Sequence, residues 1–233
     1  MSRHHARGGE LQFEALGDAA LLVRFGDRVD VESNRMVHAL AAALAAQRPA
    51  WLVDLVPAYA SLGLYYDPHA FAAADDPLRI ATEWVRARWN GMSSTRDSSH
   101  AGLLEIPVRY GGEGGPDLDA VAAHAGLSPR EVVARHAAVE YRVAMLGFAP
   151  GFPYLLGLDP SLATPRLAQP RARVEAGSVA IGGAQTGIYP RPGAAGWRVI
   201  GRTDVVLFDP AREPASLLQP GDRVRFVPQD GAP

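Results

Sequence analysis

The chain has 233 residues and a formal net charge of −2, contains no cysteine, and carries 23 basic residues that are all arginine. The lack of lysine excludes a Schiff-base lysine, a Walker-type phosphate loop and a biotinylated lysine within this chain, and the lack of cysteine excludes thiol nucleophiles, cysteine metal sites and disulfides. Scattered arginines form no basic face, and no apolar stretch of about 18 residues occurs, so we expect a cytoplasmic protein that binds neither nucleic acid nor membrane.

The first part of the chain, residues 10–92, is predicted to be a small α+β domain. Period-two apolar patterns indicate strands, and apolar residues at helical spacing indicate two amphipathic helices. The order β-β-α-β-β-α is typical of helices packed on an antiparallel sheet. The predicted elements are strands over residues 11–16 and 19–25, a helix over 31–46, strands over 51–56 and 61–66, and a helix that begins at Pro77.

A change in composition predicts a domain boundary. Of the 24 glycines and 19 prolines, nine lie in residues 1–90 and 34 in residues 91–233. Residues 93–102 are rich in serine and show no periodicity, which indicates a linker. The second domain is therefore expected over residues 103–229.

The second domain begins with a predicted strand over residues 103–110, followed by helices over 118–125 and from Pro129 to about Val139. Ser128 and Glu131 form the sequence pattern of a capping box at the start of the second helix. After Tyr141, short apolar runs alternate with glycine and proline turns about every ten residues, which favours a β-barrel or sandwich. The runs are Ser178-Val-Ala-Ile, Trp197-Arg-Val-Ile, Val205-Val-Leu-Phe and Val224-Arg-Phe-Val.

Two segments rich in glycine are predicted to be fixed loops and are the candidate site. Residues 146–158 combine prolines and glycines with Phe148, Phe152 and Tyr154, which predicts a loop that presents aromatic side chains. Residues 181–190 place glycines around Gln185 and Thr186, so that the backbone there can approach a ligand closely. Neither segment matches a phosphate-loop pattern. Both are as compatible with barrel turns as with a binding site.

These segments, with others along the chain, resemble the family of the B subunit of 5-oxoprolinase, formerly called allophanate hydrolase subunit 1, which includes the Kip-type inhibitor of a sporulation histidine kinase. The resemblance covers nearly the whole chain. The matching motifs are Leu16-Gly-Asp-Ala-Ala-Leu-Leu-Val-Arg-Phe-Gly26, Ile106-Pro-Val-Arg-Tyr-Gly-Gly112, Gly147-Phe-Ala-Pro-Gly-Phe-Pro-Tyr-Leu155, Ala163-Thr-Pro-Arg166, Ala176 to Pro190, Gly196-Trp197 and Ile200-Gly-Arg-Thr203.

The resemblance implies an α+β fold: a small N-terminal α/β sandwich followed by a C-terminal cyclophilin-like β-barrel. It implies a hetero-oligomer with a second barrel-type subunit, similar to the C subunit of 5-oxoprolinase, and a third, similar to the A subunit. That complex uses ATP to open 5-oxoproline to L-glutamate. Because this chain has no lysine, we expect the partner subunits to make most of the contacts to ATP. We also predict no metal site in this chain.

The chain also departs from the family pattern. Where members have Ser-Pro-Gly-Gly-Trp, this chain has Gly193-Ala-Ala-Gly-Trp197. The loss of a serine and a rigid proline there is expected to alter a turn or remove a ligand contact. It leaves the particular substrate open.

Eight residues are candidates for the site. His136 lies on the apolar face of its helix, where it is either a hydrogen-bonded core histidine or a general acid/base. Gln185 is predicted to contact substrate or a partner subunit, and Arg191 either clamps a carboxylate or has no specific role. Phe152 and Tyr154 either plug the barrel or stack on a ligand. The predicted catalytic residues are His136 and Gln185, and the predicted substrate-binding residues are Phe148, Phe152, Tyr154, Thr186, Tyr189 and Arg191.

The predicted function is that of one subunit of an ATP-dependent lactam hydrolase acting on 5-oxoproline, inactive without its partners. Two alternatives remain open. One is a binding module that inhibits a histidine kinase. The other is a carboxyltransferase component like those of allophanate hydrolase or urea carboxylase, whose biotinylated lysine must lie on another chain.

Overall fold

A computed structural model describes residues 11–92 and 102–229, and the chain divides into two compact units, residues 1–98 and 99–233. The predicted linker, residues 93–102, lies outside the described residues except for Gly102. Each unit has its own hydrophobic core.

The N-terminal unit is a four-stranded antiparallel sheet with two helices. Its elements are β1 (Gln12–Ala15), β2 (Ala20–Arg24), α1 (Val31–Ala45), β3 (Leu52–Pro57), β4 (Ser61–Tyr66) and α2 (Pro77–Gly91). The sheet order is β1-β2-β4-β3. Both helices begin as their sequences predict, with Asp30 and Asp76 accepting hydrogen bonds from backbone amides of the first turn.

The apolar faces of these elements form one core. Alternate residues of β2 and β4 are buried, and they pack against residues of α1 and α2 at helical spacing. The buried core residues are Leu11, Leu21, Val23, Phe25, Val37, Leu40, Leu44, Leu52, Leu62, Leu64, Tyr66, Ala81 and Val85. The predicted order of elements in this unit is therefore confirmed.

The C-terminal unit is a closed seven-stranded barrel with two helices and a small side sheet. Its elements are β5 (Leu103–Tyr110), α3 (Leu118–Ala125), α4 (Pro129–Ala137), β6 (Tyr141–Leu146), β7 (Pro153–Leu156), β8 (Arg171–Val174), β9 (Ser178–Gly182), β10 (Gln185–Ile188), β11 (Gly193–Ala195), β12 (Arg198–Arg202) and β13 (Arg223–Pro228). The barrel order is β10-β7-β6-β13-β5-β12-β9, closed by pairing of β9 with β10, while β8 and β11 form the side sheet.

The α+β class and the barrel are confirmed, and three local predictions need correction. Residues 205–208 are not a strand: Phe208 makes only an isolated bridge to Ser216, and the amide of Val205 donates to the Thr203 hydroxyl instead of a neighbouring strand. The two predicted loops are also partly strands. Residues 153–156 form β7, and residues 185–188 form β10, which pairs in a hairpin with the predicted strand β9.

The hairpin explains why the glycine-rich segment resembles a loop in sequence. Gln185 pairs with Gly182, so only Gly183 and Ala184 form the turn, and Gly183 has a φ of 64°, a conformation that glycine adopts without strain. The other two glycines of the segment, Gly182 and Gly187, lie within strands, where aromatic rings pack against them.

Candidate functional site: an aromatic cavity beside a buried histidine

A cavity of about 340 Å³ lies in the C-terminal unit where five aromatic side chains meet. We call it the aromatic cavity. Its lining residues are Phe148, Phe152, Tyr154, Arg166, Leu167, Pro170, Tyr189, Ala194, Ala195, Gly196 and Trp197.

Phe152 is the centre of the aromatic cluster. Its ring centroid lies 4.9 Å from that of Tyr154, 5.1 Å from Tyr189, 5.5 Å from Phe148 and 5.7 Å from Trp197, and each pair meets edge to face. This is the arrangement that the ring quadrupoles favour. Phe152 is 2% exposed and Phe148 is 68% exposed, so the cluster runs from a packed floor to an open rim.

Two strand glycines make room for these rings. A Cβ atom on Gly182 would lie 2.5 Å from the Trp197 ring, and one on Gly187 would lie 2.9 Å from the Phe152 ring. Both distances are too short for non-bonded carbon atoms. The expectation that glycines in this segment let the backbone approach a ligand therefore needs correction, because aromatic rings occupy the space at these two positions.

Arg166 is the cation that lines the aromatic cavity. Its guanidinium carbon lies 5.8 Å from the centroid of the Trp197 ring, within the range of a cation–π contact. Backbone hydrogen bonds on both sides fix its segment: the amide of Thr164 donates to the Gly183 carbonyl, and that of Leu167 donates to the Gly196 carbonyl.

Tyr189 is another residue of the lining of the same cavity, and its side chain carries a hydroxyl group. Burial raises the pKa of this hydroxyl above its ordinary value of 10, so the group is protonated at neutral pH. It can therefore donate a hydrogen bond to a ligand oxygen.

Phe148 stands at the rim in an unusual backbone conformation. Its φ is 63°, and the amide of Ala149 donates to the Gly147 carbonyl at 2.7 Å, which makes Phe148 the central residue of a γ-turn. A turn of this kind with positive φ is rare and costs about 1–3 kcal/mol at a residue other than glycine. The loop thus holds an exposed aromatic ring in place at an energetic cost.

The alanines at the position of the family departure border this same cavity. Ala194 and Ala195 belong to β11, which pairs with β8, and both line the aromatic cavity. The residues at the position of this departure therefore form part of the cavity wall.

His136 belongs to a different environment, the interior of the barrel. It is fully buried, and its ring stacks on Phe226 with centroids 4.5 Å apart. Nδ1 lies 2.8 Å from the hydroxyl of Tyr110, and Nε2 lies 3.0 Å from the hydroxyl of Thr186. Both ring nitrogens therefore have partners within the protein.

The hydrogen bonds define the tautomer of His136. The Thr186 hydroxyl donates its one proton to the Ala180 carbonyl at 3.0 Å, so it must accept from His136 Nε2–H. Nδ1 of a neutral ring is then an acceptor, and the Tyr110 hydroxyl donates to it. Burial lowers the pKa of His136 to about 3, which keeps the ring neutral.

The structure thus separates the predicted site residues into two groups. Phe148, Phe152, Tyr154 and Tyr189 meet in the aromatic cavity. His136 and Thr186 meet inside the barrel. Gln185 is half-buried on β10, and Arg191 is exposed beyond it; neither is among the residues that line the aromatic cavity.

Sequence reasoning did not assign a role to Arg166 or Trp197, although both lie in motifs of the family resemblance. The available signal was their place in those motifs, but a single sequence does not show that residues 166 and 197 fold onto residues 148–154.

In the described ranges, no group of three or more histidine, aspartate or glutamate side chains is placed to bind a metal ion. None of the helices described is both long enough and apolar enough to span a membrane.

Comparison with known proteins gives a consistent family. The model of the carboxyltransferase domain, subdomain C and D, matches residues 11–218. The chain is 42% identical over 221 residues to the B subunit of 5-oxoprolinase from Bacillus subtilis (strain 168), covering 93% of this chain and 92% of that protein. It is 44% identical over 215 residues to the B subunit of 5-oxoprolinase from Escherichia coli O157:H7, covering 92% and 94%.

A solved structure extends the comparison. The crystal structure of TTHA0988 in space group P6522 matches with a TM-score of 0.76 and 42% identity over 92% of this chain. The match covers 40% of that longer chain, so this chain spans less than half of TTHA0988.

Proposed function

Because the chain belongs to the family of the carboxyltransferase domain, subdomain C and D, and resembles the B subunit of 5-oxoprolinase over most of its length, we propose that it is one component of an ATP-dependent 5-oxoprolinase. The complex contains a second barrel-type subunit and a third subunit. In this proposal the aromatic cavity binds 5-oxoproline.

The observation that supports the proposal is that the guanidinium of Arg166 lies among the aromatic rings that line the cavity. 5-Oxoproline is a small five-membered lactam with one carboxylate. Its ring methylenes fit against Phe152, Tyr154 and Trp197, while the carboxylate pairs with Arg166. A volume of about 340 Å³ is at the lower end of the range for small-molecule sites, which suits a substrate of this size.

Opening a lactam at neutral pH requires activation of its carbonyl group. ATP would transfer a phosphoryl group to the carbonyl oxygen and release ADP. Attack of water on the carbon, loss of inorganic phosphate and cleavage of the C–N bond would then give L-glutamate. This chain's part is to hold the substrate in one orientation and exclude water from its apolar face. The protonated Tyr189 hydroxyl is a donor for the developing negative charge.

The aromatic cavity does not fit a triphosphate. Arg166 is its one cationic side chain among the described residues, and the chain has no lysine. We therefore assign the contacts to ATP mainly to the partner subunits, which complete the site.

Reconstitution tests this proposal. The chain is co-expressed and purified with its two partner subunits, and ATP-dependent release of glutamate from 5-oxoproline is measured. We expect turnover from the full complex and none when this chain is omitted. An intact complex that does not turn over, combined with tight binding of this chain to a histidine kinase, would show that the chain is an inhibitor instead.

The two predicted catalytic residues are tested in the same complex. Gln185 lies at the end of β10 outside the aromatic cavity, and we propose that it contacts the substrate or a partner from there. We expect Gln185→Ala to lower turnover about tenfold, by loss of one hydrogen bond to a charged or reacting group. Unchanged turnover removes Gln185 from the site. For His136 we propose a positioning role through Thr186.

A carboxyltransferase component is a second candidate, favoured by the description of the matching family model. Since this chain has no lysine, the biotinylated carrier must be another chain. Carboxyl transfer from a biotinylated carrier protein to an amide substrate, assayed with the same complex, distinguishes this activity from lactam hydrolysis.

A further inference from the structure

A second cavity of the C-terminal unit has a chemistry unlike that of the aromatic cavity. It has a volume of about 640 Å³, and four arginines line it. We call it the arginine cavity. Its charged lining residues are Arg109, Arg171, Arg173, Arg202, Glu113 and Glu175.

Three of these arginines already pair with carboxylates. Arg109 binds both oxygens of Asp204 at 2.7 and 2.9 Å, and Arg171 binds both oxygens of Asp117 at 2.7 Å. Arg173 lies 3.0 Å from Glu175. The Asp117 carboxylate is also bound by the amide of Val199, so this wall of the cavity is rigid.

Arg202 is different. Its Nε donates to the Ala176 carbonyl at 3.1 Å, and within residues 102–229 no carboxylate lies at ion-pairing distance from its guanidinium. The two terminal nitrogens therefore retain their donors. They form the edge of the guanidinium that binds oxyanions with two parallel hydrogen bonds.

Glycines hold the Arg202 side chain in place. A Cβ atom on Gly114 would lie 3.2 Å from Arg202 Cβ, and one on Gly177 would lie 3.6 Å from its Cγ. The stem is thus packed between two backbone segments, and the carbonyl of Ala176 fixes the head. Binding an anion at this side chain requires little further loss of side-chain freedom.

From this geometry we propose that the arginine cavity binds a phosphate group, held by Arg202 with support from Arg173 and Arg171. Side chains from separate strands, β8 and β12, match a tetrahedral ion with oxygens in several directions better than a planar carboxylate. The volume exceeds that of one phosphate ion, so the group is either free phosphate or part of a larger molecule such as a nucleotide. Glu113 opposes binding by like-charge repulsion.

The test measures binding of inorganic phosphate to the purified chain by calorimetry at constant ionic strength. We expect saturable binding that Arg202→Gln weakens at least tenfold and that Glu113→Gln strengthens a few-fold. Arg130→Gln is the matched control, because Arg130 is exposed on α4 and does not line this cavity. It should leave the affinity within twofold of the wild type.

Two further variants distinguish a loss of phosphate binding from a loss of folding. Arg202→Lys retains the packed stem and one positive charge, and it should keep part of the affinity that Arg202→Gln loses. Arg173→Gln changes a side chain that is 65% exposed and should weaken binding a few-fold without affecting thermal stability. An absence of saturable phosphate binding, or equal affinity in wild type and Arg202→Gln, overturns the proposal.

A second arm identifies the source of the phosphate group. ADP that binds at least tenfold tighter than phosphate, with the same dependence on Arg202, indicates a nucleotide and assigns part of the ATP contact to this chain. ADP that binds no tighter than phosphate indicates a site for the free ion. Because neither measurement involves turnover, failure here is distinct from failure of the proposed lactam hydrolysis.

Discussion

The two faces of strand β10 differ in burial and in chemistry. On the inner face, Thr186 bonds to His136 in a network where the ring nitrogens and both hydroxyl groups have protein partners. On the outer face, Gly187 makes space for Phe152 at the floor of a cavity that ends in an exposed Phe148. The inner group has satisfied polar atoms and no access to solvent, whereas the outer group has open surface, a cation and a strained turn.

The contrast indicates where each kind of residue acts. A buried and fully bonded polar network stabilises one arrangement of the barrel, and its disruption costs folding free energy. Strained backbone at a partly exposed cluster is instead typical of binding sites, and we propose that the aromatic cavity is one. Variants of the two groups test this division, in order of decreasing expected effect.

The largest expected effect is from His136→Leu, which should lower the free energy of unfolding by about 2–4 kcal/mol. The variant leaves the buried Tyr110 hydroxyl without its acceptor and removes the stacking on Phe226. Urea denaturation measures this loss. His124→Leu is the matched control at an exposed position of α3 and should change stability by less than about 0.5 kcal/mol.

The turnover of the His136→Leu complex, corrected for its folded fraction, tests the catalytic prediction for this residue. If His136 only positions the barrel interior, the pH profile of turnover is unchanged. If it is a general acid/base, one limb of that profile disappears.

Gly182→Ala should lower the free energy of unfolding by about 1–3 kcal/mol, because the new Cβ would lie 2.5 Å from the Trp197 ring. We expect the displaced indole to alter the near-ultraviolet circular dichroism of the aromatic cluster. Gly193→Ala is the control, since a Cβ there meets no atom within 4 Å. Equal stability of the two variants would show that the ring does not lie where we place it.

The pH dependence of stability reports on the same buried ring. The pKa of His136 is about 3 in the folded chain against an ordinary value of 6.5, so between these pH values the unfolded chain binds one proton that the folded chain does not. The contribution of His136 to the free energy of unfolding is fully present above pH 6.5. It falls by about 1.4 kcal/mol per pH unit as the pH drops toward 3. Acidic residues add their own slope, so the quantity to measure is the difference between wild type and His136→Leu. No difference in slope contradicts a neutral buried histidine.

The smallest effect concerns Phe148, whose positive φ costs free energy. Phe148→Gly should be more stable than Phe148→Ala by about 1 kcal/mol, because both lack the ring and only glycine tolerates this φ freely. Thermal denaturation of the pair measures the difference. Equal stabilities would mean that the turn relaxes once the ring is gone.

Most of the fold follows from the sequence, and the exceptions have physical causes. Clear periodicity, with Pro77 at the start of α2 and the capping box at Ser128, predicted the helices where they occur. Strand β10 was missed, although β9 was predicted, because the same glycines that suggest a loop are needed in the strands to admit Trp197 and Phe152. Its pattern depends on packing partners distant in the chain.

The candidate site was predictable only in part. The aromatic residues of segment 146–158 stood out locally, and four of the predicted substrate-binding residues do line one cavity. Arg166 was not distinguishable from the other arginines, because its position depends on backbone bonds to Gly183 and Gly196 across the fold. The sequence made Arg191 the candidate carboxylate clamp instead, with no specific role as the alternative.

The most direct test compares Arg166→Met with Arg191→Met in the reconstituted complex. Loss of a guanidinium–carboxylate pair is worth about 1.5–3 kcal/mol, so Arg166→Met should lower kcat/KM for 5-oxoproline by about 10- to 100-fold, while Arg191→Met stays within about twofold. 2-Pyrrolidinone, which lacks the carboxylate, should inhibit the Arg166→Met complex as well as it inhibits the wild type. Unchanged kcat/KM in Arg166→Met, or a large loss only in Arg191→Met, contradicts the assignment of the aromatic cavity as the substrate site.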